Sequence, residues 1–203
     1  MNKIYLFHNI NPKPKNMWEV TPDDLMKVVN EIKLKDISET EIHFDDARIG
    51  VYKYAYNLLK EFIPLLKVTV FVPTEWIDGF VPENEKYSKF MSWEQLAVLR
   101  DAGFEIGSHS VTHSNLTTLP EKIMKIELRH SIRTLKKKLN LKEVGKFSYP
   151  YGAYTKQLIC KVQKTYCKGY ILGPADIKRH KLTPIKRYED FIIPRITIIS
   201  KSV

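Results

Sequence analysis

The sequence predicts an α/β protein, a barrel of about seven βα units, and three observations point there. Short β-branched and apolar runs alternate with helical patterns along all 203 residues. Such regular alternation means parallel strands with helices outside, in a barrel or a doubly wound sheet. No glycine-rich fingerprint follows the first strand, where FHNINPKPKN stands instead, and this disfavours a dinucleotide-binding sheet. The chain is also shorter than a full eight-unit barrel of ~250 residues. No internal repeat, low-complexity tract or linker interrupts it, so residues 1–203 read as one domain.

Taken in order, KIYLFHN reads as the first strand and TPDDLMKVVNEIK as a helix, with Thr21 as N-cap and acids in the first turn. EIHF is the second strand, followed by a helical YKYAYNLLKEF. KVTVFVP is the clearest strand, β-branched, apolar and stopped by Pro73. In SWEQLAVLRDAG, Ser92 and Gln95 make a capping box and Gly103 a C-terminal stop. FEIGSHS follows as a strand. Thr118 and Glu121 predict a second capping box, ahead of an apolar stripe of Ile123, Ile126, Ile132, Leu135 and Leu139. KFSYP and GYILGP are strands around the helix YTKQLICKVQKTY, and FIIPRITIIS closes the chain.

The composition, 43% hydrophobic and 28% charged, fits a soluble globular protein with a substantial core. A net charge of +10 calls for an explanation. The plain one is a lysine-rich solvated surface, including RTLKKKLN and IKRHKLTPIKR; the functional ones are nucleic acid or an anionic, phosphate-bearing glycan precursor. The charge is diffuse and no nucleic-acid-binding motif is recognised, so no nucleic-acid partner is expected. Cys160 and Cys167 fall in one predicted helix, on about one face; they suit core packing and show no zinc spacing. The apolar stretch of MNKIYLFHNI is too short for a signal peptide, and Pro194 and Arg195 break the longest later run. The expectation is a cytoplasmic protein with no membrane span.

The chemistry-capable residues gather at the predicted strand ends. His8 ends the first, Asp45 and Asp46 the second, His109 and His113 follow FEIG, and Tyr149 to Gly152 follow KFS. In parallel βα barrels that rim carries the active site. HSVTH has HxxxH spacing, which would place both imidazoles on one side of a helical turn. Two histidines and one carboxylate suit a zinc-like divalent ion and leave a coordination position for water. The HExxH metalloprotease pattern is absent, because Ser110 stands at the glutamate position. At a strand end both aspartates can reach one pocket, one binding metal and the other taking a proton from the water. The competing reading is a solvated DD turn with two unrelated loop histidines.

HFDDA, HSVTH and FSYPYG, in that order, resemble the metal-dependent polysaccharide deacetylases, carbohydrate esterase family four. GFEIGSHSVTHSNLTTL is also close to that family's usual phrasing, and the likeness runs from about His8 to Arg195. It implies a distorted (β/α)7 barrel of the polysaccharide deacetylase type and hydrolysis of an N-acetyl group from a sugar, oligosaccharide or polysaccharide precursor. It further implies Asp45 as general base and Asp46, His109 and His113 as ligands of a divalent metal, Zn²⁺ first, with Co²⁺ or Ni²⁺ as substitutes. The Tyr151 backbone N–H would help hold the oxyanion.

Three departures from the family pattern bear on that expectation. Ala47 stands where most members have glycine, which restricts the backbone if φ is positive. Ser148 replaces the motif arginine that orients the base, and Arg195 on the closing strand is the candidate substitute. The usual C-terminal Leu-x-His is missing from IPRITI; His8 sits where the circularly permuted branch, similar to the exopolysaccharide deacetylases, carries its general acid. A catalytically impaired carbohydrate-binding relative is the alternative function. Of the other residues, His43 suits core packing or a hydrogen bond near the base, His130 and His180 suit a solvated surface, and Trp76 and Trp93 suit core or loop-anchor roles.

Overall fold

The computed structural model describes residues 3–32, 34–78, 83, 89–173 and 186–200. Seven parallel strands form one curled sheet: β1 (Lys3–Phe7), β4 (Thr40–Phe44), β5 (Lys67–Val72), β6 (Glu105–Ser108), β7 (Lys146–Ser148), β8 (Lys168–Tyr170) and β9 (Ile196–Thr197). Their order across the sheet is β8-β7-β6-β5-β4-β1-β9. The segment leading into β9 joins the two edges. Ile193 exchanges backbone hydrogen bonds with Gly169 and Ile171 beside β8, and Ile196 pairs with Tyr5 of β1 three residues later. A small parallel pair, β2 (Asn9–Ile10) and β3 (Glu19–Val20), stands above β1.

Helices cover the outside. They are α1 (Pro22–Glu31), α2 (Tyr56–Leu59, entered through a π-turn at Val51–Ala55), α3 (Trp93–Asp101), α4 (Glu121–Leu139) and α5 (Lys156–Gln163). Thr21 caps α1 and Ser92 caps α3, each through a reciprocal capping box. Gly103 ends α3 with φ 97°, a conformation that costs glycine nothing. Strand interiors such as Ile42, Phe44, Val68, Val70 and Phe147 are buried against Leu25, Leu59, Leu96, Leu128 and Leu158 of the helices. No helix among the described residues is long and apolar enough to cross a membrane.

Four local expectations are corrected. Thr118 does not cap α4: it belongs to a 3₁₀ turn, its hydroxyl donates to the Asn115 carbonyl, and Pro120 is the N-cap. The buried face of α4 runs through Met124, Glu127, Leu128, Ser131, Leu135 and Leu139, while Ile123 and Ile126 are 41% and 39% exposed. An acid, Glu127, takes part of the inner face because it has backbone amides to hold there, as described below. Cys167 lies beyond the end of α5 and is exposed, while Cys160 is half-buried within it, so the two do not share a helix face. His109 and His113 lie in a loop rather than on a helical turn, with φ 58° at His113 and 68° at Ser110.

His43 is fully buried, its Nε2 3.0 Å from Glu41 Oε2 and its ring edge-on to Phe71 and Tyr170. This is the core-packing role. Trp76 and Trp93 are buried and His130 is exposed. His180 lies outside the described residues, as does most of the basic stretch around it.

Candidate active site

The site lies at the C-terminal ends of β1, β4, β6 and β7. β4 delivers Asp45, whose amide donates to the Phe7 carbonyl of β1 at 3.0 Å. The chain then turns sharply, with Asp46 at φ 71° and Ala47 at φ 53°. Left-handed backbone costs a non-glycine residue about 1–2 kcal/mol. Ala47 thus adopts the positive φ that favours glycine. The turn is held by the Met91 amide on the Ala47 carbonyl, at 2.9 Å, and by the burial of Ala47 itself.

The turn sends the two carboxylates to different partners. Asp45 receives Nη1 of Arg195 on Oδ1 and Nη2 on Oδ2, both at 2.8 Å, and the Ser148 hydroxyl on Oδ2 at 3.0 Å. Arg195 is 1% exposed; its Nε donates to the Ile171 carbonyl and its Nη2 also donates to Ser148 Oγ. Ser148 therefore leaves room for a guanidinium that arrives from the closing segment. Burial alone would raise the Asp45 pKa, but the charge of Arg195, then of His109, holds this carboxyl well below the ordinary range.

Asp46 is engaged on one side only. Arg48 Nε and Nη2 both donate to Oδ2, at 3.1 and 3.0 Å. Oδ1 is buried without a hydrogen-bond partner and faces Nε2 of His113 at 3.4 Å and Nε2 of His109 at 3.5 Å. Burial would raise the Asp46 pKa, yet His113 and Arg48 bring it down to about 2.

The histidines are presented by a loop folded around polar anchors. His109 Nδ1 lies 2.7 Å from the Ser148 carbonyl, so a neutral imidazole carries its proton there and turns the Nε2 lone pair toward Asp46. The His113 amide donates to Ser110 Oγ, and Glu127 of α4 accepts from the amides of Val111 and Thr112 and from the Thr112 hydroxyl. The His113 ring packs 4.7 Å from Trp76 and 4.8 Å from Tyr151. Burial, with His109 nearby, lowers the His113 pKa to about 4, so the imidazole is neutral at pH 7. Its contact with Asp46 is then not an ion pair.

The unpaired Oδ1 of Asp46 thus shares one buried space with Nε2 of both imidazoles, an arrangement suited to a cation. One ligand atom each from Asp46, His109 and His113 lies within 4.8 Å of the others, and the donor set fits a divalent metal.

His8, just past β1, has a buried, unpartnered Nδ1 and a ring 4.7 Å from Trp18. Burial lowers its pKa, against the opposing pull of Asp46 and Asp45, so it does not keep the ordinary value of a free imidazole. Tyr151, at φ 59°, is 53% exposed beside His113, and Gly152 follows at φ 64°, where Leu172 would lie 2.8 Å from an added Cβ.

All seven residues singled out in the sequence fall at this end of the sheet. Arg48, Glu127 and the Trp76 contact were not anticipated. Arg48 had a signal in its spacing, a cation two residues past Asp46. Glu127 had one too, an acid in line with Met124, Leu128 and Leu135.

A family model described as polysaccharide deacetylase matches residues 35–168. No curated protein matches the chain. Among solved structures, the PplD deacetylase of Streptococcus pyogenes, in complex with acetate, is similar at 21% identity and TM-score 0.72, over 98% of this chain and 93% of that one. A de-N-acetylase from Aggregatibacter actinomycetemcomitans is similar at 14% identity and TM-score 0.76, over 99% and 96%. The fold also resembles a mutant of BA3943, a pseudoenzyme of the CE4 family with restored activity, at 19% identity and TM-score 0.51, over 76% and 54%. With the family model covering most of the chain and the parallel seven-stranded fold in agreement, the chain belongs to the polysaccharide deacetylase family.

Proposed function

We propose that the chain is a metal-dependent carbohydrate N-deacetylase, hydrolysing the acetamido group of an N-acetylated sugar, oligosaccharide or polysaccharide precursor. The observation that carries this reading is the unpaired Oδ1 of Asp46 facing two imidazole nitrogens, beside a second carboxylate, Asp45, committed to different partners.

Asp46, His109 and His113 would hold the ion, with Zn²⁺ the best match to the donor set and Co²⁺ or Ni²⁺ as substitutes. Such an ion polarises an amide carbonyl and lowers the pKa of a bound water from 15.7 to about 7. Asp45, kept ionised and oriented by Arg195, takes one proton from the attacking water. The same contacts cost Asp45 basicity, because a general base works best with a pKa near the operating pH. The Tyr151 backbone N–H donates to the carbonyl oxygen as negative charge grows there; one such donor is typically worth ~10²–10³ in rate. His8 delivers a proton to the sugar nitrogen as the C–N bond breaks, giving acetate and a free amine. Its Nδ1 is buried, and its lowered pKa makes the protonated form the scarcer one at neutral pH. The net charge of +10 suits a phosphate-linked substrate.

A catalytically impaired carbohydrate binder is the second reading, favoured by Ser148 at the motif arginine position and by the likeness to a pseudoenzyme. Zinc titration of metal-stripped protein, combined with acetate assays on N-acetylglucosamine oligomers, separates the two. The enzyme binds about one ion per chain, loses it in His109→Ala, and releases acetate. Oligomer binding without acetate release, with zinc in place, supports the binder.

A further inference from the structure

Arg48 divides the Asp46 carboxylate in two. Its guanidinium, one-tenth exposed, gives both Nε and Nη2 to the same oxygen, Oδ2, and leaves Oδ1 with no hydrogen bond. The head has little freedom to swing. It lies 5.5 Å over the Phe90 ring, the backbones of Arg48 and Phe90 pair as an antiparallel bridge, and the Val51 amide holds the Arg48 carbonyl. Two charge-assisted donors on one oxygen saturate it.

We propose that Arg48 is a positioning residue that confines Asp46 to ligation through one oxygen and thereby sets the metal preference of the site; this rests on reading Asp46, His109 and His113 as a metal centre. A carboxylate with both oxygens free can bind side-on, which hard ions of high coordination number exploit. A tetrahedral ion such as Zn²⁺ is satisfied by one oxygen and two imidazoles, with a position to spare. With Oδ2 occupied by Arg48, Mn²⁺ loses an oxygen ligand and Zn²⁺ loses nothing. The guanidinium charge also repels any cation, but it repels two divalent ions alike. The ratio of their affinities therefore isolates the ligation geometry.

The test is calorimetric titration of the metal-stripped full chain with Zn²⁺ and with Mn²⁺, for wild type, Arg48→Gln and Arg48→Lys. Glutamine keeps a donor without the fork or the charge; lysine keeps the charge and the stem without the fork. The ratio of the Mn²⁺ to the Zn²⁺ dissociation constant is expected to fall about tenfold in each, the scale on which partners of metal ligands act. A ratio unchanged from wild type in either folded variant overturns the proposal. Should Arg48→Gln fail to fold, the Arg48→Lys ratio decides. A wild-type chain that binds neither ion overturns the metal-centre reading instead, so the two failures are distinguishable.

Discussion

Arg195 lies 150 residues beyond Asp45 in the chain and donates a hydrogen bond of 2.8 Å to each of its carboxylate oxygens. The pair is fully buried, and Ser148 completes it by donating to Asp45 Oδ2 and accepting from Arg195 Nη2. The segment leading into the last strand thereby fixes a side chain at the end of β4.

Removing one partner of a buried ion pair leaves an uncompensated charge and costs about 3–5 kcal/mol. Arg195→Ser should therefore lower the melting temperature, and its misplaced base should cost about 10²-fold in turnover. Restoring a guanidinium from the other side, with Ser148→Arg added to Arg195→Ser, should recover part of both. Thermal melts and acetate release read the two effects. Arg195→Ser with wild-type stability and turnover would show that the pair does neither job.

His8→Ala should reduce turnover by about 10²–10⁴-fold, the usual contribution of a positioned acid or base. Zinc affinity should change little, because His8 is outside the Asp46–His109–His113 group. A variant that turns over like wild type removes the argument that a histidine on the first strand replaces the missing C-terminal one.

Glu127→Ala should weaken zinc binding by about 10–100-fold although the residue touches no metal-facing atom. It removes three acceptor contacts from the loop that presents His113. Calorimetry on the metal-stripped variant checks this; an unchanged affinity would mean the loop holds its shape without Glu127.

Acid should destabilise the metal-free protein before its carboxylates titrate. Burial, with the charges of Arg195 and Lys146, lowers the His43 pKa to about 4, so its contact with Glu41 is a hydrogen bond from a neutral ring. The unfolded chain takes up this proton near pH 6.5 and the folded one only near 4. Stability is thus full above about 6.5 and falls as the pH drops through that window. The slope from this one group approaches 1.4 kcal/mol per pH unit, one proton's worth. Glu41, whose pKa is depressed by its hydrogen bond to His43 and by Lys146 against the upward push of burial, adds a further loss below about 4.5. In His43→Gln the decline between pH 6.5 and 4.5 should flatten by up to that amount, measured by denaturant titration at several pH values. An identical slope would place the titrating group elsewhere.

The strands and the site cluster were legible because β-branched runs end at polar residues, and in a parallel barrel those ends meet on one rim. HFDDA and HSVTH could be read that way without side-chain geometry. The details that decide the site were not legible. Nothing local to Arg195 says that its side chain turns inward; that depends on the segment that joins β8 to β1 through Ile193 and Ile196. The apolar stripe expected on α4 was rotated because Ile123 and Ile126 look like core by hydropathy, while Glu127 goes inward to reach two backbone amides. The HxxxH spacing predicted a helical turn; the imidazoles converge through a loop, with Ser110 and His113 in left-handed conformations. Periodicity carries burial well, but long-range hydrogen bonding overrides it at the residues that hold the site.

The proposed mechanism rests on a division of labour between neighbouring carboxylates, with Asp46 for the metal and Asp45 for the proton. Its most direct test is acetate release from N-acetylglucosamine oligomers by wild type and Asp45→Asn, both reconstituted to the same zinc content. Asp45→Asn should bind zinc within a few-fold of wild type and release at least about 10²-fold less acetate. An Asp45→Asn variant as active as wild type, or one that no longer takes up zinc, would contradict it.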